Sequence, residues 1–152
     1  MVSAKLIQVI ETNEGEITNR IMAEIHRDPG LTHLRMLTEP ELRRRGNIIV
    51  KNLGHWLVGR NQEEMAKEFE TLGKRRFGED IPLHEVVRAL FIIKEKMADF
   101  INEQGFNLDA LTLYAEEELE RHVDRFFDVL VIHLVRGYES AWHHAHAAHA
   151  MA

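Results

Sequence analysis

The chain has 152 residues, no cysteine and a formal net charge of −6 with histidine neutral. Its 45% hydrophobic and 29% charged residues are typical of a globular domain with its own core, and its length suits a single domain. The missing cysteine excludes disulfides, cysteine-ligated metals and thiol nucleophiles, while the negative charge, with only two short basic clusters at 43–45 and 74–76, disfavours nucleic-acid binding.

Helical spacing of apolar residues recurs along the chain, and no strand alternation persists, so we predict an all-α fold. The first helix should run from about Ser3 to His26, where "RDPG" at 27–30 stops it. Residues 31–37 then form a connector with room for one helical turn. The second helix is predicted from "TEPEL", where Thr38 caps it and Glu41 stands as in a capping box, to Arg60.

Three more helices follow. Asn61 should cap a helix from Gln62 to about Phe77, and the next should begin near Pro82 and end near "EQGFN". The last is predicted from about Leu108 to at least Trp142, roughly 50 Å at 1.5 Å per residue, which is longer than a compact domain of this size requires. We therefore expect a globin-like or antiparallel bundle of about five to six helices with a long C-terminal helix. One domain would cover 1–142, with a His/Ala-rich tail over 143–152.

The stretch "EDIPLHEVVRALFIIKEKM" (79–97) places His84 and Glu85 in the first turn of a helix. His84 lies on the flank of the core stripe, beside Arg88. A zinc protease is excluded because Arg88 occupies the position of the second histidine in HExxH. A phosphoacceptor histidine is one alternative, although the proline that ends that signature is missing. The simpler interpretation is a helix-end histidine that hydrogen-bonds with Glu85, Arg88 or a nearby loop.

A haem-binding or small-molecule sensor is another alternative, since a helical chain of this length invites comparison with globins. The candidate haem ligands are His55, His84, His122 and His133. A ligand pocket would be lined by His55, Trp56, His84 and Arg88. Because a lone histidine on an apolar face is more often a hydrogen-bonded core residue than a ligand, we expect no cofactor.

The tail "AWHHAHAAHAMA" offers His143, His146 and His149 at i, i+3 spacing, which a helix could present to nickel, copper or zinc. The simpler interpretation is an exposed, poorly ordered terminus that binds metals adventitiously, so no metal site is predicted.

Neither catalysis nor membrane insertion is indicated by the sequence. A glycine-rich phosphate loop, a nucleophile elbow and a distinct acid pair are all missing, so we expect no enzyme. The N-terminus lacks the pattern of a signal peptide, and no segment reaches the roughly 18 apolar residues of a membrane span. We therefore expect a cytoplasmic protein.

The run "LGKRRFGEDIPLHEVVRA", from Leu72 to Ala89, resembles the N-terminal domain of RsbRD, the RsbT co-antagonist family, whose pattern there is LG-x-x-R-x-x-E-x-I-P-L-x-E-V-V-R-A. The resemblance extends over roughly residues 40–141. It also includes "NIIVKNLGHWLVGR" (47–60) and "RFFDVLVIHLVRGYESA" (125–141).

This resemblance implies a bacterial stress-signalling input domain related in role to the non-haem globin-like sensors of stressosome proteins. Such domains usually precede an output module, commonly a STAS domain or a histidine kinase, and signal through their last helix. This chain ends soon after "VRGYESAWHH", so we expect either a stand-alone member or a fragment. Protein partners and a homodimer are expected, the latter by parallel pairing of the last helices at the apolar "VLVIHLV" (129–135).

Overall fold

The structure is a computed structural model that describes residues 4–57, 62–103 and 110–151. Within these ranges it contains helices and no strands. The helices are α1 (Ala4–Thr12), α2 (Glu14–Arg27), α3 (Glu39–Leu57), α4 (Gln62–Gly78), α5 (Leu83–Glu103) and α6 (Ala110–Met151), with a 3₁₀ turn at Leu34–Met36. The predicted all-α fold of about five to six helices with a long C-terminal helix is confirmed.

The core consists of apolar side chains that recur every three or four residues along each helix, because this spacing places them on one side. α2 and α3 pack against each other, α2 also packs on α5, and α6 lies against both α4 and α5. Fully buried members include Ile17, Ile21, Ile49, Leu53, Phe69, Met97, Phe126, Phe127 and Leu134.

The first predicted helix is in fact two helices, since the chain leaves helical geometry at Asn13. The Asn13 side chain donates a hydrogen bond from Nδ2 to the Val9 carbonyl oxygen at 2.7 Å. An asparagine side chain that bonds the local backbone competes with helix continuation, which accounts for the break.

The other described boundaries lie close to prediction. Thr38 Oγ1 accepts a hydrogen bond from the Glu41 N–H at 3.3 Å, as the predicted cap requires. The Glu41 carboxylate pairs with arginines instead of completing the capping box, and it lies 2.8 Å from Arg44 Nη2. The predicted Asn61 cap, the start of the last helix near Leu108 and the end of the second helix at 58–60 lie outside the described residues.

Arginines of both basic clusters pair with glutamates. Glu41 Oε1 lies 3.3 Å from Arg75 and 3.5 Å from Arg76, and Arg76 Nη1 also bonds Glu79 Oε1 at 2.6 Å. Burial raises the pKa of Glu41, but Arg75, Arg44 and Arg76 outweigh it and hold that pKa below its usual value. Arg76 is almost completely buried, so these pairs join α3 to the end of α4.

α4 and α6 cross with their backbones in direct contact. A Cβ added at Gly73 would overlap the Leu134 carbonyl oxygen and lie 2.7 Å from the Tyr138 backbone nitrogen. One added at Gly137 would overlap the Glu70 carbonyl oxygen and lie 2.8 Å from the Glu70 Cα. Any side chain larger than hydrogen at either position is therefore incompatible with this crossing.

α6 has 42 residues and continues through the predicted tail to Met151. At 1.5 Å per residue it is about 63 Å long, which exceeds what its neighbours can cover. Residues 139–147 are accordingly exposed or half-exposed. Despite the length of α6, none of the described helices combines the length and apolar character needed to cross a membrane.

Candidate functional site

His84 and Glu85, adjacent in the first turn of α5, point to different environments. Glu85 is buried and accepts hydrogen bonds from the backbone N–H groups of His33 and Leu34, at 2.9 and 3.1 Å. Its other oxygen lies 2.7 Å from His33 Nδ1. The His84 side chain is exposed. The pair therefore does not present a joint histidine and carboxylate at the surface.

Glu85 attaches the 3₁₀ turn to the start of α5. Burial raises the pKa of the Glu85 carboxyl, but the N–H of Leu34 and the ring and N–H of His33 outweigh burial and bring that pKa below its usual value. Both N–H groups belong to the beginning of the 3₁₀ turn, where backbone donors lack helical partners. A buried carboxylate thus acts as a cap across 51 residues of sequence.

His84 and Arg88 lie together on the surface. With Leu83, Val87 and Phe91 they border a shallow open depression on α5. Arg88 Nε donates a hydrogen bond to Asp28 Oδ2 at 3.1 Å, which links α5 to the residue that follows α2. The Gly30 N–H and Arg88 together lower the pKa of Asp28.

The depression continues into a longer surface, which we name the outer face of α5. Its residues recur at helical spacing along one side of the helix, and each of them is exposed. The outer face consists of His84, Arg88, Phe91, Glu95 and Asp99. Phe91 is 48% exposed, which is unusual for a large aromatic side chain.

The other candidate ligand residues do not join this surface in the described part of the chain. The side chains of His55 and Trp56 lie outside the described residues, although their backbone belongs to α3. His122 Nε2 lies 3.7 Å from Glu118, and His133 Nδ1 lies 3.2 Å from Glu70. Both of these histidines are thus partly exposed members of surface pairs with a glutamate.

An interior cavity of about 40 Å³ lies between α2, α3, α4 and α5. Its lining is mostly apolar, with the buried Arg76 and the partly buried Arg45, and among its described residues there is no histidine. Arg45 lines it and bonds Glu68 through Nη1 at 3.3 Å, while its Nε is buried without a hydrogen-bond partner. Burial and the nearby Arg76 lower the pKa of Arg45.

The tail histidines continue α6. His143 and His146 are exposed, and the His146 ring lies 3.9 Å from the Trp142 ring, centroid to centroid. His146 Nδ1 is 2.8 Å from the Trp142 carbonyl oxygen. The side chain of His149 lies outside the described residues. In the part of the chain that the structure describes, no three acidic or histidine side chains are placed to hold a metal ion.

Sequence reasoning missed the cap at Glu85 and the unpartnered Nε of Arg45. Glu85 lies at the edge of the buried side of α5, roughly 130° from the centre of the apolar stripe that the sequence shows, so helical spacing did not mark it as buried. Nothing in the sequence singled out Arg45 among three consecutive arginines.

The helical core, the outer face of α5 and the projecting end of α6 define an all-α domain organised around one long helix. The chain belongs to the family described as the RsbT co-antagonist protein rsbRD N-terminal domain, whose family model matches residues 15–152. The resemblance found at 72–89 is thereby confirmed over nearly the whole chain. Membership places the chain among signalling input domains of the stressosome type. No curated protein and no solved structure is significantly similar to it.

Proposed function

We propose that this chain is a non-enzymatic, cytoplasmic input domain of the stressosome co-antagonist type, which acts by contact with STAS-domain or kinase proteins. The family match across residues 15–152 carries the proposal. Cysteine-free composition fits a reducing compartment.

α6 is the element that we expect to transmit the signal. It is held to α4 at the Gly73 and Gly137 crossing, and the Tyr138 hydroxyl donates to the Ile81 carbonyl oxygen at 3.1 Å, between α4 and α5. The Tyr138 ring also meets Phe77 edge-on at 5.3 Å. A displacement at the α4–α5 turn would therefore reach α6, whose uncovered residues 139–147 are available to a partner.

Self-association is also part of the proposal. The apolar segment 129–135 supports it less than the sequence suggested, because Leu130 and Leu134 are buried inside the chain. Ile132, 56% exposed, is the large apolar side chain that this segment leaves at the surface. Pairing through α6 would consequently bury a narrower strip than "VLVIHLV" implies.

The proposal can be tested with purified STAS-domain and kinase proteins whose genes neighbour the gene for this chain. Biolayer interferometry would measure their binding to the chain. We expect one of them to bind the wild-type chain, and Ile132→Glu to weaken that binding at least tenfold if α6 is the contact. Ala23→Glu, an exposed change on α2, is the matched control and should bind like wild type. Absence of binding to every such partner would contradict the proposal.

A small-molecule sensor is the second candidate, because the interior cavity brings an unpartnered guanidinium N–H next to apolar walls. A buried donor without a partner is costly, and a small anion with a short apolar tail would satisfy it. Concentration-dependent thermal stabilisation by acetate or propionate, reduced in Arg45→Gln, would support this role. A Soret band after expression with haem supply would indicate the haem alternative instead.

A further inference from the structure

The outer face of α5 carries its charges in a fixed order. His84 and Arg88 occupy its N-terminal half, Glu95 and Asp99 its C-terminal half, and the exposed Phe91 lies between them. The side chains of Arg88, Glu95 and Asp99 are each about half exposed. The face therefore combines a central apolar residue with a charged end of each sign.

This order is symmetric about the point midway between residues 91 and 92. His84 and Asp99 lie at equal distances on either side of that point, and so do Arg88 and Glu95. If a second α5 lies antiparallel across a two-fold axis there, every basic position on one helix meets an acidic position on the other. Phe91 of each copy would lie within about 1 Å of the axis along the helix.

We infer that the outer face of α5 binds the same face of a second copy of this chain, antiparallel, with Arg88 opposite Glu95 and His84 opposite Asp99. The interface is isologous, as two-fold dimers require, so each charge pair occurs twice. The inference rests on the self-association in the proposed function, but it places the interface on α5 instead of the α6 segment 129–135 and makes it antiparallel.

The acidic end of the outer face is only loosely paired within one chain. Glu95 and Asp99 are like charges at i, i+4, a spacing that disfavours an isolated helix, and each forms a long ion pair of 3.9 Å with the same side chain, Lys96. Arg88 uses Nε for Asp28, which orients its guanidinium while the side chain stays half exposed. Parallel pairing would place like charges opposite one another, so the charge order selects the antiparallel arrangement.

Contact through one helix face places this dimer at the small, transient end of protein interfaces. The two Arg88–Glu95 charge pairs lie at an exposed surface and are screened by salt. We therefore expect a weak dimer that is populated at high protein concentration and dissociates further as sodium chloride is added. An interface held by apolar burial alone would strengthen in salting-out salts instead.

Single-cysteine cross-linking tests the orientation, because the chain has no cysteine of its own. Phe91→Cys should form an intermolecular disulfide under mild oxidation, since the two Cα atoms approach within the range a disulfide needs. Asn102→Cys, exposed on the same side of α5, is the matched control. In an antiparallel pair its two copies are about 30 Å apart, so it should not cross-link. Cross-linking at both positions would indicate parallel pairing and overturn the inference.

Charge reversal tests the pairing. Arg88→Glu and Glu95→Arg should each weaken dimerisation at least tenfold, and the double variant should recover it. A mixture of the two single variants should form a heterodimer, since every opposed pair is then complementary. Arg88→Glu could disturb the fold because it removes the bond to Asp28, and circular dichroism would show this. In that case Glu95→Arg and the cysteine cross-linking still test whether the outer faces pair.

Light scattering up to millimolar wild-type protein separates the two proposals. A monomer throughout removes both the self-association and this interface. If the dimer persists in Glu95→Arg and Phe91→Cys does not cross-link it, the chain self-associates through another surface. That result supports self-association and overturns the interface on α5.

Discussion

Glu85 is a charged side chain on the buried side of α5, and its surroundings explain why it is there. Two backbone N–H groups and the His33 ring nitrogen surround its carboxylate. Burying a carboxylate without such partners would be strongly unfavourable, whereas hydrogen bonds to a charged acceptor are among the stronger ones. The residue therefore links two segments that are far apart in sequence.

We predict that Glu85→Gln lowers the free energy of unfolding at neutral pH by about 1.5–3 kcal/mol, because a neutral amide accepts these bonds less strongly. The pKa of Glu85 is lowered in the folded chain, so its stabilisation is complete above the unfolded pKa, about 4.3, and is lost as pH falls through the lower folded value. Urea unfolding from pH 7 to pH 3 measures this. The difference from wild type should shrink below about pH 4.

Glu139→Gln, at an exposed position inside α6, is the control for that series, and its free energy of unfolding should stay within about 0.5 kcal/mol of wild type. A Glu85→Gln deficit that persists undiminished at pH 3 would show that the carboxylate charge is not its cause.

At the scale of elements, helix positions were predictable and helix pairing was not. Apolar spacing placed α3 to α5 within a few residues, because each helix must bury one side. The single break at Asn13 depends on one side chain bonding back to Val9, which periodicity does not register. The contact of Gly73 with α6 depends on residues more than 60 positions away, which no local pattern contains.

We predict that Gly137→Ala destabilises the chain by about 3 kcal/mol or more, because its methyl group would overlap the Glu70 backbone and force α4 and α6 apart. Gly15→Ala is the matched control, since nothing lies within 4 Å of its added Cβ and alanine favours a helix. It should be neutral or stabilise by up to about 1 kcal/mol. Urea midpoints measure both, and equal midpoints would contradict the close crossing.

The end of α6 gives a third prediction. His143 and His146 lie on an exposed helix, and His146 is already packed on Trp142. We expect zinc to bind only weakly there, and truncation after Trp142 to remove that weak binding without lowering the free energy of unfolding. Isothermal calorimetry on both chains tests it. Submicromolar binding that disappears with the tail would instead indicate a specific metal site.

At the scale of the whole molecule, the part of α6 that packs against other helices should resist local unfolding more than its exposed end. Residues 126–137 contain the buried Phe126, Leu130 and Leu134, whereas 139–147 are exposed or half-exposed. Amide exchange should therefore be slowest in α4 and the covered part of α6, and fast beyond Trp142, because local opening there disrupts few buried contacts. Equal protection along α6 at low protein concentration would contradict this expectation.

The interior cavity and the outer face of α5 differ in how far they can be predicted from the sequence. The cavity needs side chains from four helices, so it appears only when the helices are assembled. The outer face of α5 lies within one helix, and its charge order can be seen in "HEVVRALFIIKEKMAD" once the buried side is known.

The crossing at Gly73 and Gly137 also constrains how sequences of this family can diverge. A Cβ at either position overlaps backbone on the opposite helix, so a single replacement cannot be absorbed by repacking side chains. A lineage that loses one glycine must also move α6 relative to α4. Relatives with side chains at these positions should therefore fall into a separate group, with a different spacing between the two helices.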